Sequence, residues 1–150
     1  MRNLKKASIL VGMLSALFAL PAAAAQTIVA YEIGGQPVFT GTGAPGSTIQ
    51  LTAVLVNPAN HSQVIGTKNE FCIITAYAPG PQLWCNESLV FTGKGTLYAQ
   101  GNIDEVLLEH YVPQTIQVFA GSGIYAGKTG TQTIQQVVFP NEFFLTIRLN

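Results

Sequence analysis

The sequence is short of charge, of histidine and of cysteine, and each shortage removes a class of function. Charged residues make up only 9% of the chain's 150 residues, against about a quarter in an ordinary soluble domain. Three of the seven cations, Arg2, Lys5 and Lys6, sit before residue 26. Over residues 26–150, Lys68, Lys94, Lys128 and Arg148 then face seven acids, a net charge of −3. Such a domain has no basic stripe to hold a phosphate backbone, so nucleic acid is excluded as a partner. The two histidines, His61 and His110, and the two cysteines have no compact ligand spacing; no metal and no cofactor is expected. No window carries a helical apolar stripe, which excludes a coiled coil, and 48% hydrophobic residues exclude a disordered chain.

What the chain does have begins with a leader. Arg2, Lys5 and Lys6 precede an apolar core, Ile9–Leu20, then Pro21 and the small residues Ala22–Ala25. This is the pattern of a secretory signal peptide over residues 1–25, cleaved near Ala25. The competing reading is an uncleaved anchor, because Ala7–Ala25 has no charge, but the apolar core is short for a span. The expectation is a secreted or periplasmic domain over residues 26–150 with no stable membrane anchor. In that compartment Cys72 and Cys85 are read first as a disulfide, with free thiols and a metallic site as the alternatives. The bridge would contribute roughly 3 kcal/mol through the unfolded state.

Residues 26–150 divide into short β-rich runs separated by turn residues. The runs are Thr27–Ile33, Pro37–Thr40, Thr48–Asn57, Phe71–Tyr77, Leu83–Thr92, Thr96–Gly101, Glu105–Val112, Thr115–Ala120, Thr131–Phe139 and Glu142–Leu149. Alternation is clearest in the last, where Phe143, Leu145, Ile147 and Leu149 share one face. In Thr48–Asn57, Ile49, Leu51, Ala53 and Leu55 oppose Thr48, Gln50 and Thr52. The reading is all-β, an antiparallel barrel or sandwich. Apolar residues on both faces of several runs call for a second covered face, and so for a homo-oligomer.

Motifs with chemical associations are weak. Gly121–Gly130 (GSGIYAGKTG) has Ser122 where a phosphate loop needs its first glycine, and a strand pattern follows instead of a helix. Asn60-His61-Ser62 and Asn86-Glu87-Ser88 match glycosylation sequons by chance. Asp104, Glu105, Glu109 and His110 form an acidic cluster that reads first as a solvated strand end, with acid–base chemistry as the alternative. Glu32 stands apart: it lies inside the apolar run Ile28–Ile33, where an ionised side chain must be paired, face solvent or serve a polar site.

Several of these segments resemble the plant allene oxide cyclases and their bacterial barrel relatives, a group related in fold to dirigent proteins. GSGIYAG at 121–127 is similar to the family's GSGIF-x-G turn. IQQVVFP at 134–140, followed by Phe143-Phe144-Leu145, is similar to its LQQIVFP and aromatic closing strand. Gln100-Gly101 matches a strand-ending Gln-Gly, Val64–Ile74 a segment whose Cys opens an apolar strand, and Tyr31-Glu32-Ile33 the family's Tyr-Glu-Ile-Asn. The resemblance implies an eight-stranded antiparallel β-barrel of calycin-like form, commonly trimeric, with a mostly apolar lumen. It also implies an isomerase that steers ring closure of an unstable allene oxide to one enantiomer, chiefly by conformational restraint. Carried over by position, Glu32 falls on the catalytic carboxylate, Pro37 on a proline that helps place a water, and Cys72 on a lumen cysteine. The remaining substrate-binding positions depart from the family. Val54 stands for a water-holding Asn, Leu83 for a Phe and Ile103 for a Tyr, and Gly34 replaces an Asn beside Glu32. An apolar, shape-selecting barrel survives these changes; the polar set for an epoxide largely does not.

The function expected from the sequence is therefore a secreted barrel that binds a small hydrophobic ligand, with allene-oxide-cyclase-like cyclisation or isomerisation as its reaction. The alternatives are a non-catalytic lipid or terpenoid carrier and a structural assembly barrel of the same fold.

Overall fold

The computed structural model describes residues 25–150; the expected signal peptide lies almost wholly outside them. One antiparallel sheet contains β1 (Gln26–Gly34), β2 (Val38–Thr40), β3 (Thr48–Asn57), β4 (Asn60–Ala76), β5 (Gln82–Phe91), β6 (Gly95–Asp104), β7 (Gln114–Gly121), β8 (Gly130–Val138) and β9 (Glu142–Leu149). Consecutive strands from β3 to β9 pair as neighbours, and β1 pairs with both β9 and β3, which closes the sheet into a barrel. The three-residue β2 pairs with β3 at Val38–Thr40, beyond the stretch of β3 that β1 occupies, so it prolongs the β1 stave. The barrel therefore has eight staves, as expected.

Alternation decides what the barrel encloses. Leu83, Cys85, Glu87, Leu89 and Phe91 of β5 are buried, whereas Trp84 and Val90 between them are exposed. Closure removes the sheet edges and gives every inward side chain a covered face. At one end the lumen is solid with Leu55, Leu89, Phe91, Leu97, Ile147 and Leu149. Tyr125 seals that end from a 3-10 turn, Gly123–Tyr125, its ring edge-on to Phe91 at 5.7 Å. The turn requires glycine at 123. Its φ is +61°, and a Cβ would stand 2.2 Å from the Lys94 carbonyl oxygen. The glycine-rich segment is thus the lid of the apolar end, and β8 follows it.

Two elements depart from the sequence reading. Glu105–Val112 is not a strand: Glu105–Glu109 forms a short helix, α1, and His110 and Tyr111 turn the chain toward β7. Asp104 caps α1, its Oδ1 accepting from the Leu107 N–H at 3.1 Å, and Glu105 stands in the first turn. The acidic residues read as a strand end are thus partly a helix start. The exposed cap carboxylate is held below its ordinary value by hydrogen bonds from Gln82 and from the Leu107 backbone. The second departure is β4, which begins at Asn60, well before the expected Phe71. Its first half is largely polar, and pairing with β3, joined by β5 from Gly66 onward, holds it extended.

Candidate functional site

The end of the lumen opposite Tyr125 is hollow. A cavity of about 300 Å³ lies there. Its rim is made by Gly35–Pro37 after β1, Phe39 of β2, Glu105 and Leu108 of α1, and Pro140 and Asn141 between β8 and β9. The rim is tied where the β1–β9 ladder ends: the Gly34 N–H donates to the Asn141 carbonyl at 2.7 Å, and the Asn141 side-chain amide donates to the Gly34 carbonyl at 3.1 Å. Ile49, Leu51, Leu83, Ile103, Ile134 and Phe143 form apolar walls.

The floor is charged. Lys68 and Glu70 from β4 and Glu87 from β5 point inward at positions that alternate with exposed residues, and all three line the cavity. Lys68 Nζ lies 2.6 Å from Glu70, 2.8 Å from Glu32 and 3.6 Å from Glu87. Glu32 comes from β1 and is wholly buried behind Lys68; Gln132 of β8 donates to Glu87 Oε2 at 2.5 Å. One ammonium thus serves three carboxyl groups inside a barrel, and the surplus appears as raised proton affinity. Burial pushes Glu87 up to about 8, Lys68 opposing and the neighbouring glutamates adding to the rise. Burial also raises Glu32, again against the pull of Lys68. For Lys68 burial works downward, but the three glutamates outweigh it and hold the ammonium well above its ordinary value. A buried carboxyl that keeps its proton near neutrality can donate it, or a hydrogen bond, to a ligand oxygen.

Cys72 and Cys85 are directly opposed on β4 and β5 and are joined in a disulfide on the lumen side. Glu70 Oε1 lies 2.9 Å from Cys72 Sγ. These three residues cluster like metal ligands, but the bridge consumes both thiolates and leaves a single carboxylate.

Four of the substrate-binding residues chosen from sequence, Pro37, Cys72, Leu83 and Ile103, line the cavity together. Glu32 faces the lumen but reaches the cavity only through Lys68. The expectation that Val54 contacts a ligand is corrected here. Strand parity turns it outward between buried Ala53 and Leu55, and it stands 40% exposed on the outer wall. Lys68, Glu70, Glu87 and Gln132 were missed as a group. Their signal was available in β5, where Glu87 occupies the buried parity between Cys85 and Leu89. Lys68 and Glu70 share the parity of Cys72 in β4, but that half of the strand was not recognised.

No family model matches the sequence, and no curated protein does. Solved structures do match. A pyocyanin demethylase is 19% identical, with 83% of this chain and 100% of that one aligned at a TM-score of 0.70. AbnU, an exo-specific intermolecular Diels-Alderase, is 15% identical over 85% of this chain and 98% of its own, with a TM-score of 0.71. The pterocarpan synthase dirigent protein GePTS1 is 12% identical over 95% and 96%, with a TM-score of 0.66. At such identities it is the fold that is held in common. The chain has the closed eight-stranded antiparallel barrel fold of these proteins.

Proposed function

We propose that the protein binds a small, mostly apolar molecule in the open half of its barrel and steers that molecule's cyclisation or isomerisation. The observation that carries this reading is the cavity itself, apolar on its walls and floored by one lysine among three glutamates. The walls restrict the ligand to few conformers, which is how a barrel imposes stereochemistry on a reaction that runs unaided. Glu87 supplies a proton or hydrogen bond to a ligand oxygen. The carboxylate it becomes, with Glu70 beside it, stabilises positive charge developing on the carbon skeleton. Glu32 is a positioning residue that holds Lys68. Pro37, Cys72, Leu83 and Ile103 shape the pocket. Structural neighbours that include a Diels-Alderase and a pterocarpan synthase dirigent protein support the reading.

We also propose secretion with cleavage near Ala25, which suits the disulfide, and a homo-oligomer, with a trimer as the leading form. The outer wall carries Phe71, Ile73, Trp84, Tyr98 and Phe119 at 36–49% exposure, an apolar surface that a second subunit would cover.

The test is the enantiomer ratio of cyclopentenone formed when the protein meets freshly generated allene oxide. An excess of one enantiomer that falls in Glu87→Gln and in Glu32→Gln is expected. A racemic product sinks the fatty-acid cyclase form of the proposal. The second reading is a lipid or terpenoid carrier, favoured by the largely apolar lining to which α1 and the Pro140–Asn141 turn contribute. It expects ligand to be retained with an affinity that Glu32→Gln does not change.

A further inference from the structure

We infer that the ligand of the cavity carries a positively charged nitrogen on an apolar body, the nitrogen seated against Glu87 and Glu70 at the floor. This rests on the reading of the cavity as a ligand site and names the chemical class it selects.

Three observations lead there. The first is stoichiometric. Glu32 from β1, Glu70 from β4 and Glu87 from β5 share the single ammonium of Lys68; Gln132 from β8 is neutral, and the nearest further ionisable group at the cavity is Glu105, another acid, on the rim. The second is geometric. Lys68 is committed to Glu32 at 2.8 Å and Glu70 at 2.6 Å, while Glu87 stands off at 3.6 Å. Glu87 lines the cavity, its side chain is buried, and its Oε1 has no hydrogen-bond partner. The third is the sign of what is left over. Among the described residues, the buried side-chain atoms without a hydrogen-bond partner are all oxygens, on Glu32, Glu87 and Gln132, and of these Glu32 Oε1 is ion-paired with Lys68. With Glu87 ionised, the site is short of donors and of positive charge. It is not short of acceptors.

An anionic ligand would meet two surplus carboxyl groups and a lysine already engaged. A neutral ligand would leave the surplus where it is. An ammonium supplies both missing quantities, with the ring of Phe143 on the adjoining wall as a further favourable surface. The proton balance is explicit. Burial holds a proton on Glu87 up to about pH 8, so at neutral pH an ammonium docks as the carboxyl releases that proton to solvent. No covalent bond changes.

The probes are 3-phenylpropylammonium, 3-phenylpropanol and 3-phenylpropanoate, which differ only in the head group. Each is titrated calorimetrically into the full protein at pH 7 and low salt, in two buffers of different ionisation heat. The amine is expected to bind at least tenfold tighter than the alcohol, with net proton release, and the carboxylate weakest. Glu87→Gln should remove the amine's advantage over the alcohol and its proton release. Residual binding of the alcohol to the variant reports an intact cavity. An alcohol that binds as tightly as the amine overturns the inference and leaves the apolar-ligand reading standing. Amine binding that is indifferent to Glu87→Gln places the cation elsewhere and overturns it too. Failure of all three probes to bind overturns both.

Discussion

The two halves of this lumen are built by the same strands and solve burial in opposite ways. Toward Tyr125, β5 contributes Leu89 and Phe91, which meet Leu55, Leu97 and Leu149 in a filled apolar plug. Toward α1 the same strand contributes Leu83, Cys85 and Glu87, and there the barrel keeps a cavity of about 300 Å³ and a buried ionic cluster. The plug is the part of the core that closes the barrel, each buried leucine contributing roughly 1.5–3 kcal/mol. The ionic half is a weak source of stability, because desolvation of the charges offsets most of their attraction. A barrel that only had to fold would continue the plug to both ends. The difference teaches that the open half gives up packing that the plug keeps, a cost in stability that the proposed ligand site would account for.

The sharpest way to break the comparison is to remove one central residue from each half. Leu89→Ala should cost about 2–5 kcal/mol through lost transfer energy and a cavity, by the same amount at pH 5 and pH 8. Lys68→Met should cost about 3–5 kcal/mol at pH 8, where it leaves buried carboxylates with no cation. At pH 5 Glu32 and Glu87, whose proton affinity burial raises, can take up protons, and most of that cost should vanish. Urea denaturation of both variants at the two pH values checks this; equal pH dependence would mean that the halves do not differ as described.

The disulfide lies on the wall of the open half and should act there as the main brace. Its loop, with 13 positions separating the two cysteines, is worth roughly 3 kcal/mol by restriction of the unfolded chain. The double variant Cys72→Ala/Cys85→Ala should therefore lose about that much by denaturant titration. It should keep the barrel, since the pairing of β4 with β5 continues on both sides of the bridge.

How much of this was legible beforehand differs along the chain for physical reasons. β3 and β9 alternate cleanly because one face is lumen and the other is outer wall, and their parity was read correctly. The turn at 121–127 and the IQQVVFP strand carried the fold through their resemblance. The first half of β4 was missed because Asn60–Gln63 and Thr67–Glu70 lack the β-branched apolar residues that mark a strand, and their extended form is imposed by neighbours. α1 was misread because Val106-Leu107-Leu108 is apolar throughout, although Asp104 before it is a helix cap. The site followed suit. The wall residues Pro37, Cys72, Leu83 and Ile103 were found by position, whereas Lys68 and Glu70 of the charged floor lie in the part of β4 before Phe71, which had not been read as strand.

The pH response of the intact protein offers a finer test. Glu87 is raised from 4.5 to about 8, so between those values the folded state binds more protons than the unfolded one. Stability then falls as pH rises through that window, the reverse of the usual behaviour of a paired carboxylate. Lys68, held above 10.5, adds stability that is complete below that value and is lost only at still higher pH. Both groups therefore weaken the fold on the alkaline side. Glu87→Gln should raise stability at pH 9 by on the order of 1–3 kcal/mol and change it little at pH 5. A variant less stable at pH 9 than the parent would show that Glu87 is a needed partner of Lys68 instead of a surplus acid.

The smallest expected effect belongs to Val54, and its smallness is the point. Its position invites a ligand role by resemblance, but it projects from the outer wall and is 40% exposed. Val54→Thr keeps the β-branched shape that β3 prefers and adds a hydroxyl with access to solvent, so stability should change by less than about 0.5 kcal/mol. Binding of an apolar probe in the cavity should not change at all. Leu83→Thr makes the same kind of exchange on the inner wall. There the hydroxyl enters an apolar surface and the side chain loses volume against the ligand, so affinity for 3-phenylpropanol should fall several-fold. Equal responses to the two substitutions would mean that the lumen of the open half is not where ligand sits.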